Sequence, residues 1–197
     1  MNDLKTEKAS IPIDLLSEGA SPLISAWFEL VHLKQLFRKG WLERGIPEQR
    51  CESVAEHTFG NVMLCVLLAD QFPELDGEKV LRLAVLHDIG EAYVGDITPQ
   101  DRVDSEEKSK RESEAVEKIL SKLPNGERLI NDWHEYERQS SPEAQFVKQI
   151  DRLELAMQAS VYKKQGLVDS EDFMASAERG LKAPTMVEIM AALRALE

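Results

Sequence analysis

The spacing of apolar residues is the feature that most constrains the fold of this chain. Leu, Val, Ile and aromatic residues recur three and four positions apart, and they never alternate with polar residues over a useful length. A three- to four-residue period puts apolar side chains on one face of an α-helix, whereas a half-buried strand needs a period of two. The pattern therefore predicts an all-α protein.

Capping residues and helix breakers divide this pattern into separate helices. Ser53 and Glu56 form a capping box, and Ser141 precedes a proline at the first helical position. Pro73 and Gly166 are breakers that end two of the helices. The predicted helices span residues 21–38, 53–72, 77–94, 106–123, 126–138, 141–166, 170–179 and 184–196.

Length and composition favour a single domain. The chain has 197 residues, 43% of them hydrophobic and 30% charged, which is ordinary for a globular protein and enough for a sizeable core. No internal repeat or low-complexity linker divides it. We expect one domain over residues 1–197, with a core at 23–165 and the helices of 170–196 packed on it.

Charge, apolar runs and cysteines limit the partners and the location. A net charge of −12 disfavours DNA or RNA polymers, although a small phosphorylated substrate stays compatible because a bound metal reverses the field locally. The longest apolar run, Val62 to Ala69, is too short to span a bilayer. Cys51 and Cys65 match no metal-binding spacing and are interpreted as thiols of a reducing compartment. We therefore expect a cytoplasmic protein without a membrane partner.

The stretch LAVLHDIGEAYVGDITP, residues 83–99, adds a cluster of titratable groups to an apolar helix face. His87, Asp88, Glu91 and Asp96 fall within ten residues. On one helix, His87 and Glu91 share a face, with Asp88 beside them. Carboxylates are rarely buried unless they are paired or bound to a metal. A His-Asp pair alone also fits a local hydrogen bond, so a metal site requires further ligands elsewhere.

Two more residues extend the cluster to a candidate metal set. His57 lies one turn into its helix and faces inward, where a hydrogen-bonded core histidine is the alternative interpretation. Asp151 lies at the margin of a buried stripe, where a salt bridge to Lys148 or Arg152 is the alternative. Two imidazoles and two carboxylates suit Mn, Fe, Co or Zn, and carboxylates also suit Mg. Without sulfur ligands, a structural zinc site is disfavoured. The candidate ligands are His57, His87, Asp88 and Asp151.

The order H…HD…D, together with four sequence blocks, resembles the HD-domain superfamily of metal-dependent phosphohydrolases. The blocks FRKGW, ESVAEHTFGNVML, LHDIGEAYVGDITP and SSPEAQFVKQIDRLELAMQA resemble its 5′-deoxynucleotidase branch, over roughly residues 23–195. The resemblance implies an all-α, single-domain HD-type helical bundle and a homodimer. It also implies hydrolysis of deoxynucleoside 5′-monophosphates to deoxynucleosides and phosphate.

The resemblance further implies roles for individual residues. Glu91 matches the carboxylate that activates water. Asp96 matches a catalytic carboxylate near the sugar, and in some relatives these two carboxylates are proposed to hold a second metal. Arg38 and Trp41 fall in the block that supplies substrate contacts. The cation is expected to be Mn, Co or Mg, with Zn, Fe, Cu or Ni as alternatives. The implied metal ligands are His57, His87, Asp88 and Asp151.

Elementary chemistry is compatible with these roles. A carboxylate such as Glu91 accepts a proton from water, and the Arg38 guanidinium matches phosphate oxygens as a fork. A surface position beside Lys39 is the alternative for Arg38. Trp41 either packs on base or sugar, or belongs to core or dimer packing. The sequence has no Ser-His-Asp or activated-cysteine pattern, which favours direct attack by water.

Three other functions stay open at this point. A nucleotide phosphodiesterase or triphosphohydrolase of the same superfamily shares the metal site, although the chain lacks a GYP element, which disfavours a cyclic-dinucleotide phosphodiesterase. A non-catalytic scaffold could keep a metal for stability, but such a structural site does not require the additional carboxylates of Glu91 and Asp96 nearby. A partner-binding helical protein requires a broad exposed apolar stripe, and none is obvious in the sequence.

Overall fold

The computed structural model describes residues 7–8 and 19–196. These residues form ten α-helices and no strand, which confirms the predicted all-α class. The ends of the predicted domain, at 1–6, 9–18 and 197, lie outside the described residues. The helices are α1 (Pro22–Val31), α2 (Lys39–Glu43), α3 (Val54–Leu68), α4 (Gly77–Leu86), α5 (Glu91–Val94), α6 (Ser105–Leu120), α7 (Gly126–Arg138), α8 (Pro142–Lys164), α9 (Glu171–Gly180) and α10 (Pro184–Arg194).

Side-chain caps set where two central helices begin. At the start of α3, the Ser53 hydroxyl accepts from the Glu56 amide at 3.2 Å, and the Glu56 carboxylate accepts from the Ser53 amide at 2.6 Å. At the start of α8, the Ser141 hydroxyl accepts from the Ala144 amide at 3.2 Å, and Pro142 is the first helical residue. These caps satisfy amides that have no partner inside the helix. Both predicted starts are confirmed.

The prediction of one helix over residues 77–94 is wrong. Helix α4 ends at Leu86, residues 87–90 form turns, and α5 begins at Glu91. Hydrogen bonds to the carbonyl three positions earlier come from the amides of Ile89, Glu91, Ala92 and Tyr93. Such bonds are tighter than those of an α-helix and turn the chain. His87 and Glu91 therefore do not share a helix face.

The helix predicted over 21–38 is also too long. It ends at Val31, a short 3₁₀ turn follows at His32–Lys34, and Phe37 then forms an isolated bridge with Ser53. The amide of Arg38 donates to the carbonyl of Glu52 at 2.9 Å. This pairing holds the backbone of Arg38 beside the start of α3.

Three helices, α3, α4 and α8, pack against one another at the centre of the molecule. Their shared cluster is apolar and includes the fully buried Cys65, Leu83 and Ile150. Met174 of α9 and Met186 of α10 are fully buried in the same cluster. The candidate ligands lie on α3, directly after α4 and on α8, so this packing places all of them at one centre.

No helix in the described part of the chain is long and apolar enough to cross a membrane. Cys51 and Cys65 are both free and buried. Burial raises the pKa of each thiol to about 12, so neither is an activated nucleophile.

Candidate active site

His57 is fully buried in the second turn of α3, and each of its ring nitrogens faces a carboxylate. Its Nδ1 lies 2.6 Å from Glu154 Oε2, and its Nε2 lies 3.2 Å from Asp151 Oδ1. Burial and the charge of Arg38 lower the pKa of His57, but hydrogen bonds to Asp151 and Glu154 outweigh them and raise it to about 10. The carboxylates therefore favour a positive charge at Nε2, which a proton or a divalent cation supplies.

His87 and Asp88 lie in the turn that follows α4. The Nδ1 of His87 donates to the Ala84 carbonyl at 2.7 Å, because a carbonyl oxygen only accepts. The carbonyl of His87 accepts from Trp133 Nε1 at 3.2 Å, which ties the turn to α7. The Nε2 of His87 is left facing His57 Nε2 at 3.4 Å and Asp88 Oδ2 at 3.1 Å.

Asp151 reaches the same centre from the middle of α8. Besides its contact with His57 Nε2, it forms an ion pair with Lys148, whose Nζ lies 3.2 Å from Asp151 Oδ2. Of the two salt-bridge partners considered from the sequence, Lys148 is thus the one observed. One oxygen of Asp151 faces the histidine while the other contacts the lysine.

These donor atoms fit a divalent cation. Ligand atoms of His57, His87 and Asp88 all lie within 4.8 Å of one another. Asp88 Oδ2 is buried without a hydrogen-bond donor, although it lies beside His87 Nε2. When His87 is neutral with its proton on Nδ1, both atoms present lone pairs. Facing lone pairs repel, and a cation held by His87 and Asp88 would remove that repulsion.

Glu91, the first residue of α5, is buried beside this centre and keeps its Oε2 without a hydrogen-bond partner. Burial, followed by the charges of Asp88 and Asp96, raises its pKa well above the usual range, against the opposing charge of Arg38. A carboxylate in this state takes up a proton readily.

Asp96 and Arg38 form a pair at the edge of the same cavity. Arg38 Nη1 donates to Asp96 Oδ1 at 3.2 Å, and the Lys39 amide donates to Asp96 Oδ2 at 2.7 Å. The side chain of Arg38 is only 17% exposed, so the alternative of a surface basic residue is wrong. Its Nε has no hydrogen-bond partner. Asp96 therefore has two roles: it borders the cavity, and it holds the Arg38 guanidinium toward the cavity.

Trp41 is packed in the interior. Its ring meets Tyr162 edge-on with 5.1 Å between ring centroids and Phe173 at 4.2 Å, and its Nε1 donates to Glu52 Oε1 at 2.7 Å. Core packing, one of the two roles considered from the sequence, is what the structure shows. Trp41 also borders the cavity, so a substrate contact stays a prediction.

A cavity of about 280 Å³ is lined by all of the candidate residues except the two histidines, His57 and His87. Asp88, Asp151, Glu91 and Asp96 contribute carboxylates to its wall. The cations on the wall are Arg38, Lys108 and Lys148.

Sequence reasoning missed two groups around this site. Lys108 belongs to a charge-dense segment that resembles an ordinary solvated helix face. Glu154 contacts His57. The sequence could have indicated this residue, because its carboxylate lies between the apolar Leu153 and Leu155, one helical turn after Asp151.

Comparison with known proteins identifies the class. Residues 30–193 match the family model described as HD domain. The chain belongs to the HD-domain family.

Individual members of this family are similar to the chain over most of its length. The chain is 38% identical to 5′-deoxynucleotidase HDDC2 of Homo sapiens, over 90% of this chain and 87% of that protein. It is 40% identical to 5′-deoxynucleotidase hdd1 of Schizosaccharomyces pombe, over 68% of this chain and 69% of that protein. A crystal structure of a protein from Pyrococcus horikoshii OT3 is similar in fold, with a TM-score of 0.74 and 32% identity, covering 88% of this chain and 99% of that one.

Proposed function

We propose that this protein is a metal-dependent phosphomonoesterase, a 5′-deoxynucleotidase that hydrolyses deoxynucleoside 5′-monophosphates to deoxynucleosides and phosphate. One observation carries the proposal: two imidazoles and two carboxylates converge beside a cavity whose wall also holds an unpaired carboxylate and a partly buried guanidinium. The 5′-deoxynucleotidase names of the relatives supply the substrate class.

In this proposal the cation is held by His57 Nε2, His87 Nε2 and the carboxylates of Asp88 and Asp151. A nitrogen and oxygen donor set without sulfur suits Mn, Co or Mg, with Zn, Fe, Cu or Ni as alternatives. When bound, the cation polarises the phosphoryl group and makes water more acidic.

The remaining residues act on water and on phosphate. Glu91 takes the proton from the attacking water, because it borders the cavity with an unpaired oxygen and its raised pKa makes the carboxylate a stronger base. Arg38 binds phosphate oxygens through its free Nε and its fork of N–H groups, and Asp96 holds it in place. Asp96 also accepts a hydrogen bond from a sugar hydroxyl, because each carboxylate oxygen has a second lone pair. Trp41, which borders the cavity, contacts the base or sugar.

Rejection of ribose follows if the cavity gives the 2′-hydroxyl neither room nor a partner. Burying an unpaired hydroxyl costs about 1–3 kcal/mol, which corresponds to roughly 5- to 150-fold in rate.

Phosphate release from a nucleotide panel tests this function. Chelator-treated protein receives Mn, Co, Mg or Zn and is assayed with deoxy- and ribonucleoside monophosphates, di- and triphosphates and a cyclic dinucleotide. We expect turnover of the deoxynucleoside monophosphates only with added metal. Equal turnover of ribonucleotides removes the deoxynucleotide assignment, and activity only on a diester or triphosphate points to another enzyme of the family.

The protein acts as a single-domain homodimer in the cytoplasm in this proposal. Free buried thiols are typical of a reducing compartment. The dimer is supported by an exposed apolar row on α3, formed by Phe59, Met63, Val66 and Leu67. Large apolar patches on a soluble protein mark interaction sites. No broad exposed stripe was expected from the sequence, and this row corrects that expectation.

Light scattering during gel filtration tests the dimer. Wild type is expected at twice the chain mass and Leu67→Glu at the mass of one chain, because a charge in an apolar interface is unfavourable. Gln71→Glu, an exposed position just after α3, is the matched control and should behave as wild type. A wild type that elutes as a monomer contradicts the proposal.

A further inference from the structure

We propose that Glu154 is a positioning residue for the metal site. Seated against Gly60, it holds the His57 ring so that Nε2 points at the cation. The inference rests on the proposed function, since it assumes that His57 is a metal ligand. It extends the site to two residues that sequence reasoning did not single out.

The Glu154 carboxylate is placed to act on His57 alone of the four candidate ligands. It is 6% exposed on α8, where an unpartnered charge is unfavourable, and its Oε2 lies 2.6 Å from His57 Nδ1. Asp151, one helical turn earlier, faces the other nitrogen of the same ring. Two carboxylates one turn apart on α8 thus contact the two ring nitrogens of His57.

Gly60 makes the space that Glu154 occupies. A Cβ atom built on Gly60 would lie 2.6 Å from Glu154 Oε1, closer than non-bonded atoms tolerate, and 3.2 Å from its Cγ, a tight contact, so the Glu154 side chain would have to move. Glycine is unfavourable inside a helix, and Gly60 lies in the middle of α3. The absent side chain is what lets the carboxylate reach His57.

The hydrogen bond decides which ring nitrogen is available. A carboxylate only accepts, so His57 Nδ1 carries the proton, and Nε2 is left for the cation. Outer hydrogen bonds of this kind fix the tautomer and orientation of a metal-bound histidine. Without the Glu154 acceptor, the ring is free to turn or to carry its proton on Nε2.

A neighbouring carboxylate suggests a competing role for Glu154. Ligand atoms of Glu52, His57 and Glu154 lie within 4.8 Å of one another, so Glu154 is also placed to be a ligand of an additional ion. The Glu52 carboxylate, however, already accepts from Trp41 Nε1 at 2.7 Å, and His57 Nδ1 is taken by Glu154 itself. These bonds favour positioning over ligation.

Metal titration of the full-length protein tests the inference. Chelator-treated wild type, Glu154→Leu, Glu154→Gln and Gly60→Ala are titrated with Mn²⁺ in a calorimeter and with Co²⁺ by visible absorption. We expect Glu154→Leu and Gly60→Ala to bind about 10- to 100-fold more weakly, with a changed Co²⁺ spectrum. Glu154→Gln keeps an acceptor oxygen and should recover most of the affinity, which a merely structural role does not predict.

Two control variants complete the design. Gly77→Ala adds a Cβ to a helical glycine with open space around it, and Glu114→Gln removes an exposed carboxylate. Both should bind Mn²⁺ as wild type does. Circular dichroism checks folding, and if Glu154→Leu is unfolded, Gly60→Ala and Glu154→Gln decide the outcome.

The possible results separate the two proposals. If wild type binds no ion, the proposed function fails. If wild type binds an ion and folded Glu154→Leu and Gly60→Ala bind it within twofold, only the positioning role is overturned. It is also overturned if Glu154→Gln loses one full equivalent of metal while the rest binds with wild-type affinity, because Glu154 is then a ligand.

Discussion

Three buried side-chain atoms without hydrogen-bond partners belong to residues that line the same cavity: Arg38 Nε, Asp88 Oδ2 and Glu91 Oε2. Each such atom destabilises a folded protein by about 1–3 kcal/mol, so their concentration at one place calls for a ligand that satisfies them. A cation beside Asp88 and a phosphate beside Arg38 do so. At the scale of single residues, the site is therefore built for a charged ligand.

Glu91 and Asp88 are expected to fail in different ways when truncated. Asp88→Ala should lose metal and activity together, because its carboxylate is one of the proposed metal ligands. Glu91→Ala should keep its metal but lose about 10²- to 10⁴-fold in kcat, the usual contribution of a general base. Metal content by elemental analysis and phosphate release distinguish the two. Near wild-type turnover of Glu91→Ala removes it from the mechanism, and loss of metal makes it a ligand.

Glu112 on α6 gives a pH-dependent test of stability. It is 8% exposed, and burial raises its pKa to about 7, opposed by Lys108 and reinforced by Asp88 and Glu137. An unfolded glutamate ionises near pH 4.3, so between about pH 4.3 and 7 the folded state binds more protons and stability falls as pH rises. The neutral carboxyl is fully stabilising below this window.

Glu112→Gln should therefore gain stability over wild type as pH rises. The variant keeps a neutral side chain, so the difference in unfolding free energy should grow from pH 5 to pH 8, by up to about 3 kcal/mol. Urea unfolding at several pH values measures it. A difference that does not change with pH contradicts the raised pKa.

At the scale of elements, the turn at residues 87–90 carries two of the proposed ligands, His87 and Asp88. It is fixed by the Trp133 bond to the His87 carbonyl and by close packing of Gly90 on α6. A Cβ atom on Gly90 would lie 2.9 Å from Glu112 Cβ and 3.0 Å from the Glu112 carbonyl oxygen. Because that oxygen is backbone, a side chain here moves α6 or the turn.

Gly90→Ala should therefore lower both stability and activity. The backbone of Gly90 has a φ of −60°, which alanine adopts freely, so the effect comes from packing alone. Overpacking of this kind destabilises by about 1–3 kcal/mol. Gly77→Ala, which meets nothing within 4 Å, serves as the control in urea unfolding and phosphate-release assays. Equal stability of the two variants argues against a tight contact between the turn and α6.

At the scale of the whole molecule, the proposed metal site joins three helices that are far apart in sequence. His57 belongs to α3, His87 and Asp88 follow α4, and Asp151 belongs to α8. A cation bound by all of them exists only in the folded state. Its binding free energy therefore adds to the stability of the whole chain.

Removal of the metal should lower the melting temperature. At 100 times the dissociation constant, binding adds about 2.7 kcal/mol, and a protein of this size gains roughly 2–4 °C per kcal/mol. We expect Mn²⁺ to raise Tm by about 5–11 °C in wild type and chelator to reverse it. Asp88→Ala should show no such shift. An equal shift in that variant places the ion elsewhere.

Sequence by itself determined the helical class, the starts of α3 and α8 and the set of candidate ligands. Apolar period and capping bonds involve residues a few positions apart, so they can be recognised along the chain. Metal ligation depends on residue types, which the sequence also contains. The break at residues 87–90 was not recognisable, because Leu86, Ile89 and Ala92 continue a helical spacing through it.

Only the tertiary structure decided which residues act on one another across helices. The contact of Glu154 with His57 joins positions 97 residues apart, and it depends on the space above Gly60 where α8 crosses α3. Burial of Arg38 and its pairing with Asp96 likewise depend on how the chain folds back after α1. The physical reason is that burial, hydrogen-bond partners and pKa values arise from neighbours in space, and helix packing selects those neighbours.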